Sequence, residues 1–264
     1  MSAPFDPRIA AARFWARAGV TEPFPRRLTP TIAAILPVAV ILLPKLSIAS
    51  MSDWLSRRGA RCPALVGSRR LRGCLVAQRG HGFIFVDGSL GDDEQRLTVA
   101  HETAHFLHHY EGPRLAALTL LGPSIGPVLD GDRRATASEE LRGALREVPL
   151  GVYSHALDRS ASGLPSEETA QLETEADLIG FELLAPMAAI RASARKDAYP
   201  RALTAQFGLP PWAAARWGAW IASREGGDGF IARLKAARGA ERALSNSGSL
   251  TGSSQKKSLL KPPP

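Results

Sequence analysis

The chain has 264 residues, a hydrophobic fraction of 45% and a formal net charge of +8 at pH 7. That length and composition suit one domain of ordinary size with short appendages. Most of the positive excess lies from Ala232 onward, so the body is nearly neutral and the basic balance is weak evidence for nucleic-acid binding. Cys62 and Cys74 fit neither a zinc knuckle nor a disulfide framework, so reduced thiols in a cytosolic protein are expected, with a single disulfide as the less favoured alternative.

The first fifty residues predict two helices and a strand. Pro7–Ala18 has helical spacing, and Gly19 is expected to end that helix. One side of the helix carries Ile9, Ala12, Trp15 and Ala16. The stretch Thr31–Ile48 is strongly apolar, but internal prolines make it too short and too broken to span a membrane, and it begins too late for a signal peptide. A short helix over Pro30–Leu36 and a buried strand over Val38–Leu43 are predicted instead.

The middle of the chain predicts further local elements. Ser50–Arg58 is expected to be helical, with Ser52 or Asp53 as its cap. Gly73–Val76 and Gly82–Val86 have the composition of two strands joined by a turn. A helix over Ala137–Arg146 is predicted, with Thr136 or Ser138 as its cap. A second late helix is predicted to open at Ser166, run to Leu184 and close at Pro186.

The motif H-E-x-x-H stands at His101-Glu102-Thr103-Ala104-His105 in a stretch, Arg96–Glu111, that no Pro or Gly interrupts. On a helix, residues four apart share a face, so both imidazoles could bind one Zn²⁺ while Glu102 faces the attacking water as general base. The alternative is a helix that merely carries two exposed histidines. The apolar residues around the motif favour a buried helix, in which unpaired imidazoles would be costly.

A catalytic zinc site needs a third protein ligand and an open position. The metzincin extension of the motif is absent, because His108 and Glu111 stand where its Gly and His would be. The best candidate is Glu173 on the later helix, since Glu173 and Asp177 share a face and Asp177 could orient a ligand histidine. Glu175, on a different face of that helix, is the less favoured third ligand.

The C-terminal part has helix–turn–helix-like spacing over Tyr199–Ile221. Its second helix contains three tryptophans and a single cation, Arg216, so it is interpreted as a packing unit rather than a DNA reader. The predicted organisation is a metallopeptidase domain with N-terminal helices over 1–190, a helical segment over 191–240 and a disordered tail over 241–264.

Three stretches together resemble the ImmA/IrrE family of bacterial metallopeptidases. Gly73–Val76 with Gly82–Asp87 resembles its paired strands, and Glu94–Phe106, which contains R-L-T-V-A-H-E-T-A-H-F, resembles its R-F-T-L-A-H-E-L-x-H-Y/F motif. The sequence E-T-E-A-D-L-I-G-F-E-L-L-A-P over Glu173–Pro186 resembles its E-x-E-A-N-x-F-A-x-x-L-L-x-P motif. The departures are mild, with Leu97 for Phe, Asp177 for Asn and Ile179-Gly180 for Phe-Ala.

The resemblance implies a cytoplasmic zinc endopeptidase that cuts a transcriptional repressor, usually within a stress or mobile-element switch. The implied fold class is α+β, a zincin-like, mostly helical domain with a small β-sheet, followed by helix–turn–helix-like C-terminal helices. The site residues are His101, His105 and Glu173 as metal ligands and Glu102 as catalytic base. The partner is a protein substrate, whose extended chain is expected to add to the edge of Phe83–Val86; neither membrane association nor direct DNA binding is expected. The alternative function is a non-catalytic zinc-fold regulator that binds a protein partner or DNA.

Overall fold

The computed structural model describes residues 5–20, 22–59, 70–151, 154–155 and 167–225. The chain divides into two compact units, Met1–Gly218 and Ala219–Pro264. In the second unit, residues 219–225 are helical and the Arg224 guanidinium lies 4.0 Å from the centre of the Trp220 ring. Cys62 and the predicted disordered tail, 241–264, lie outside the described residues.

The first unit is mostly helical with a small sheet, which confirms the predicted α+β class. Its strands are β1 (Val38–Leu43), β2 (Gly73–Gln78), β3 (His81–Asp87) and β4 (Ser154–His155). Its α-helices in the N-terminal half are α1 (Pro7–Ala18), α2 (Leu28–Ile35), α3 (Ile48–Ser56) and α4 (Asp92–Ala104), and α4 continues into a π-helical segment (His105–Glu111). The later ones are α5 (Gly112–Leu121), α6 (Gly126–Leu129), α7 (Ala137–Leu145), α8 (Glu167–Leu184), α9 (Met187–Ser193), α10 (Tyr199–Ala205) and, within this unit, helical residues 211–218 (α11). Short 3₁₀ turns lie at Pro123–Ile125 and Lys196–Ala198.

The sheet has the strand order β1-β3-β2-β4. β1 pairs parallel to β3 from Val38↔Gly82 to Leu43↔Asp87, and β2 pairs antiparallel to β3. β3 is therefore an inner strand with a partner on each side. The expectation that a peptide adds to the edge of Phe83–Val86 is wrong, because both edges of that strand are already hydrogen-bonded.

The apolar stretch Thr31–Ile48 forms α2, β1 and the start of α3, as the two prolines within it predict. β1 is where it was predicted, whereas α2 begins two residues earlier. α3 begins at Ile48 because Ser47, not Ser52 or Asp53, makes a capping box with Ser50. Among the described helices, none is long and apolar enough to cross a bilayer.

Helix α1 has the predicted bounds but a different buried face. Asp6 caps its first turn, and Gly19 ends it with φ of 64°. The buried residues are Pro7, Ala11 and Phe14, whereas Ile9 is 53% exposed. The predicted face was wrong because apolar residues occur on both sides of this short helix, and contact with α8 selects the side that carries Phe14.

Helices α4 and α8 form the principal helix pair of the unit, and a glycine allows them to approach closely. A Cβ atom on Gly180 would lie 3.2 Å from the backbone nitrogen of His101 and 3.3 Å from the Ala100 carbonyl carbon. Gly180 therefore sets the separation between the helix that carries the H-E-x-x-H motif and the helix that carries Glu173.

The helix–turn–helix-like segment within the first unit packs against α8. Trp217 is fully buried, its ring lies 5.6 Å from that of Phe181, and its indole N–H donates to the Ala185 carbonyl at 3.0 Å. At the turn, the Arg96 guanidinium donates to the Gly208 carbonyl at 2.7 Å. This packing agrees with the interpretation of the segment as a structural unit.

Candidate metal centre

The H-E-x-x-H motif lies at the junction between α4 and the π-helical segment. His101 and Glu102 belong to the last turns of α4, and His105 is the first π-helical residue. The sequence predicted one uninterrupted α-helix to Glu111, but the backbone widens to i→i+5 hydrogen bonding after Ala104. The four-residue spacing still brings the two imidazoles together, with their Nε2 atoms 3.1 Å apart.

Glu173, from the middle of α8, completes a cluster of three side chains that could hold a metal ion. Its carboxylate oxygens lie 3.5 Å from His101 Nε2 and 3.8 Å from His105 Nε2. The ligand atoms of the three residues all lie within 4.8 Å of one another. The structure thus brings together the three side chains that the sequence proposed as ligands, and it places Glu175 elsewhere.

The distances in this cluster suit a tetrahedral zinc ion. Two nitrogens that bind one zinc at about 2.0–2.1 Å lie roughly 3.3–3.4 Å apart in tetrahedral geometry, close to the separation of the two Nε2 atoms. Two imidazoles and one carboxylate are also the donor set of many catalytic zinc sites. His105 is fully buried, whereas the side chains of His101 and Glu173 are 15% and 22% exposed, so the site is open towards solvent on one side.

Asp177 forms a hydrogen bond with the ring nitrogen of His101 that faces away from the other two side chains of the cluster. One turn after Glu173 on α8, its Oδ1 lies 2.9 Å from His101 Nδ1, and its Oδ2 accepts a hydrogen bond from Arg216 of α11. Burial lowers the pKa of His101, but hydrogen bonds to Asp177 and Glu173 outweigh burial and raise that pKa to about 10. Without metal, His101 is therefore protonated at neutral pH, and a metal ion would take the place of its Nε2 proton.

Glu102 is buried beside the ligand cluster. Its Oε1 lies close to Gly73 at the start of β2, where a Cβ atom would come within 3.0 Å of that oxygen. The glycine lets the strand pass directly against α4 and leaves room for the carboxylate. Glu102 thus occupies a shielded position beside His101, and its charge favours the protonated form of that histidine.

A second group of side chains, defined here as the His109 cluster, lies next to the first: His108, His109 and Glu175. His109 Nε2 is 3.2 Å from Glu175 Oε2, and Gln171 donates to the other oxygen at 2.9 Å. Burial lowers the pKa of His109, and nearby His108 adds to that effect. Burial raises the pKa of Glu175, but the hydrogen bonds from Gln171 and His109 outweigh it, so the net shift is downward.

The sequence predicted that the candidate ligands and Asp177 lie together, but it did not predict the contribution of Arg216 or the His109 cluster. Arg216 lies 39 residues after Asp177, so no local pattern connects them. His109 could have been found, because it follows His105 by the same four-residue step that links His105 to His101.

A comparison with protein-family models relates part of the chain to a known family. The model of the IrrE N-terminal-like domain, Peptidase_M78, matches residues 66–145. That range contains β2, β3 and the complete H-E-x-x-H motif, and it ends before α8. A search of curated proteins finds no match to the chain. The match supports a metallopeptidase-like function and agrees with the resemblance to the ImmA/IrrE metallopeptidases.

Proposed function

We propose that the protein is a zinc-dependent endopeptidase with His101, His105 and Glu173 as metal ligands and Glu102 as catalytic base. One observation carries the proposal: a carboxylate from α8 meets the two motif histidines at distances that suit one zinc ion. Asp177 supports the ligand His101 by accepting its Nδ1 proton.

In the proposed hydrolysis of a peptide bond, the bound zinc and Glu102 have different roles. Zinc, when bound, supplies Lewis-acid polarisation of the scissile carbonyl and a water of lowered pKa. Glu102 takes the proton of the attacking water on its carboxylate and later passes it to the leaving amine. Because Glu102 is buried and its Oε1 lies against Gly73, its carboxylate is shielded from bulk water.

For the substrate we propose a transcriptional repressor in the cytoplasm, cut within a stress or mobile-element switch. The support is the family match over 66–145 together with the motif of α8. A repressor gene beside the gene of this protein would provide the first substrate to test. Incubation of the two purified proteins with zinc should give two defined repressor fragments, and an intact repressor after prolonged incubation would count against this substrate.

The metal assignment is tested by metal analysis of the purified protein and of His101→Ala. The wild type is expected to hold about one zinc per chain, and His101→Ala to lose it, because two remaining ligands bind weakly. Exposed Asp92, on the same helix, offers a control: Asp92→Asn should keep its zinc. Stoichiometric zinc in His101→Ala would place the metal elsewhere.

Glu102→Gln separates catalysis from binding. The substitution keeps the shape but removes the base, so zinc content and thermal stability should be nearly unchanged while peptide hydrolysis falls by roughly 10²–10⁴-fold. Asp92→Asn should cleave at the wild-type rate. If Glu102→Gln still removes the repressor in cells as fully as the wild type does, the protein acts as the non-catalytic regulator instead.

A further inference from the structure

A row of three hydrogen-bonded side chains leads away from the metal centre behind His105. His105 Nδ1 lies 2.9 Å from His109 Nδ1, and His109 Nε2 lies 3.2 Å from Glu175 Oε2. His105 is fully buried and the side chain of His109 is only 8% exposed. The row therefore lies in a protected environment, where an unmatched donor or acceptor would be costly.

The order of protons along this row follows from the donor and acceptor chemistry of each group. A carboxylate only accepts, so His109 must present Nε2–H to Glu175. A neutral imidazole carries one N–H, so His109 Nδ1 is then an acceptor and His105 must donate its Nδ1–H. This arrangement leaves His105 Nε2 without a hydrogen, directed at His101 and Glu173.

We propose that Glu175 and His109 are positioning residues that fix His105 in the tautomer whose Nε2 binds the metal. This inference rests on the proposed zinc site. It gives each ligand histidine its own carboxylate on α8: Asp177 contacts His101 directly, and Glu175 acts on His105 through one imidazole. Gln171 donates to the second oxygen of Glu175 and so holds the carboxylate in place for His109.

The same assignment of hydrogens to the ring nitrogens argues against a second metal ion in the His109 cluster. A metal on His109 Nε2 would displace its proton to Nδ1, where it would face the Nδ1–H of His105 at 2.9 Å. His105 would then have to carry its proton on Nε2 and could not bind the first metal. The two sites exclude each other, so one zinc per chain is the expected stoichiometry.

Zinc affinity, measured by competition with a chelator, tests the role of the row. Glu175→Ala and His109→Phe are each expected to weaken zinc binding by about 10–100-fold, the usual effect of losing such a partner, because neither new side chain can accept a hydrogen bond. His109→Gln should recover part of that loss, because its amide oxygen can accept from His105. His108→Gln is the matched control: His108 belongs to the cluster but not to the row, so its loss should leave the affinity unchanged.

The measurements distinguish the proposed role of the hydrogen-bonded row from a second metal centre and from a row without effect on zinc binding. Two zinc ions per wild-type chain, one of them lost in His108→Gln, would show a second metal centre and overturn the proposal. Equal affinities in the wild type, Glu175→Ala and His109→Phe would also overturn it. Absence of zinc binding by the wild type would instead contradict the proposed function.

Nitrogen NMR of the metal-free chain gives a readout that does not depend on zinc. The spectrum should show His105 protonated at Nδ1 in the wild type and a mixture of tautomers in Glu175→Ala, with thermal unfolding confirming that the variant is folded. A wild-type His105 protonated at Nε2 alone would refute the proposed order of protons.

Discussion

Substitution of Gly180 by alanine is expected to lower the free energy of unfolding, and the distances around Gly180 indicate by how much. In Gly180→Ala, the new Cβ would lie 3.2–3.3 Å from backbone atoms of Ala100 and His101, closer than ordinary van der Waals contact. Overpacking against a rigid backbone costs about 1–3 kcal/mol, whereas replacing glycine by alanine inside a helix contributes about 0.8–1 kcal/mol. The clash is therefore expected to win, with a net loss of up to about 2 kcal/mol in the free energy of unfolding.

Urea unfolding of the metal-free chain measures this loss, and zinc competition measures its effect on the site. Because α8 must move away from α4, Glu173 should shift from the two histidines and zinc affinity should fall together with stability. Gly88→Ala is the control, since its nearest outside neighbours, Leu42 Cβ and the Leu43 backbone, are 3.8 Å away; it should stabilise the chain by about 0.4–1 kcal/mol. Equal stabilisation by both substitutions, with zinc affinity unchanged, would refute the argument that the helix separation is limited at Gly180.

Two further predictions concern His101 and its partners. Because the pKa of His101 is raised to about 10 without metal, zinc uptake at pH 8 should release the His101 proton, and zinc affinity should increase with pH up to about 10. Calorimetry in buffers of different ionisation enthalpy detects the released proton, and the absence of any release would contradict a protonated His101. Arg216→Ala should weaken zinc binding by only about two- to five-fold, because the Arg216 side chain is half-exposed. Asp177→Ala should weaken zinc binding by about 10–100-fold. An equal loss of affinity in both variants would show that the arginine is as important as the carboxylate.

The sequence predicted best those features that depend on short-range pattern. The bounds of β1 agree with the observed ones because prolines flank that strand, and the bounds of α1 agree because Pro7 and Gly19 mark its ends. The H-E-x-x-H motif was recognisable because a four-residue step is a local property of a helix. Thr136 was one of two predicted caps of α7, and its capping box with Glu139 decides between them.

The features that were missed depend on contacts between distant elements. The buried face of α1 is selected by α8, and the inner position of β3 follows from its parallel pairing with β1. The partnership of Asp177 with Arg216 exists because α11 packs on α8 through Trp217. These contacts join residues that are far apart in the sequence and follow no helix or strand period, so they become visible only in the folded chain.

The burial of Trp217 against α8 bears on the order in which the site is completed during synthesis. Both histidines leave the ribosome well before the helix that supplies Glu173, and Trp217 follows His105 by 112 residues. At about 5–20 residues per second, translation of that stretch takes roughly 6–22 s. During this interval the nascent chain has two of its three ligands and no packed α8, so we expect tight metal capture to be a late event that follows translation of α11.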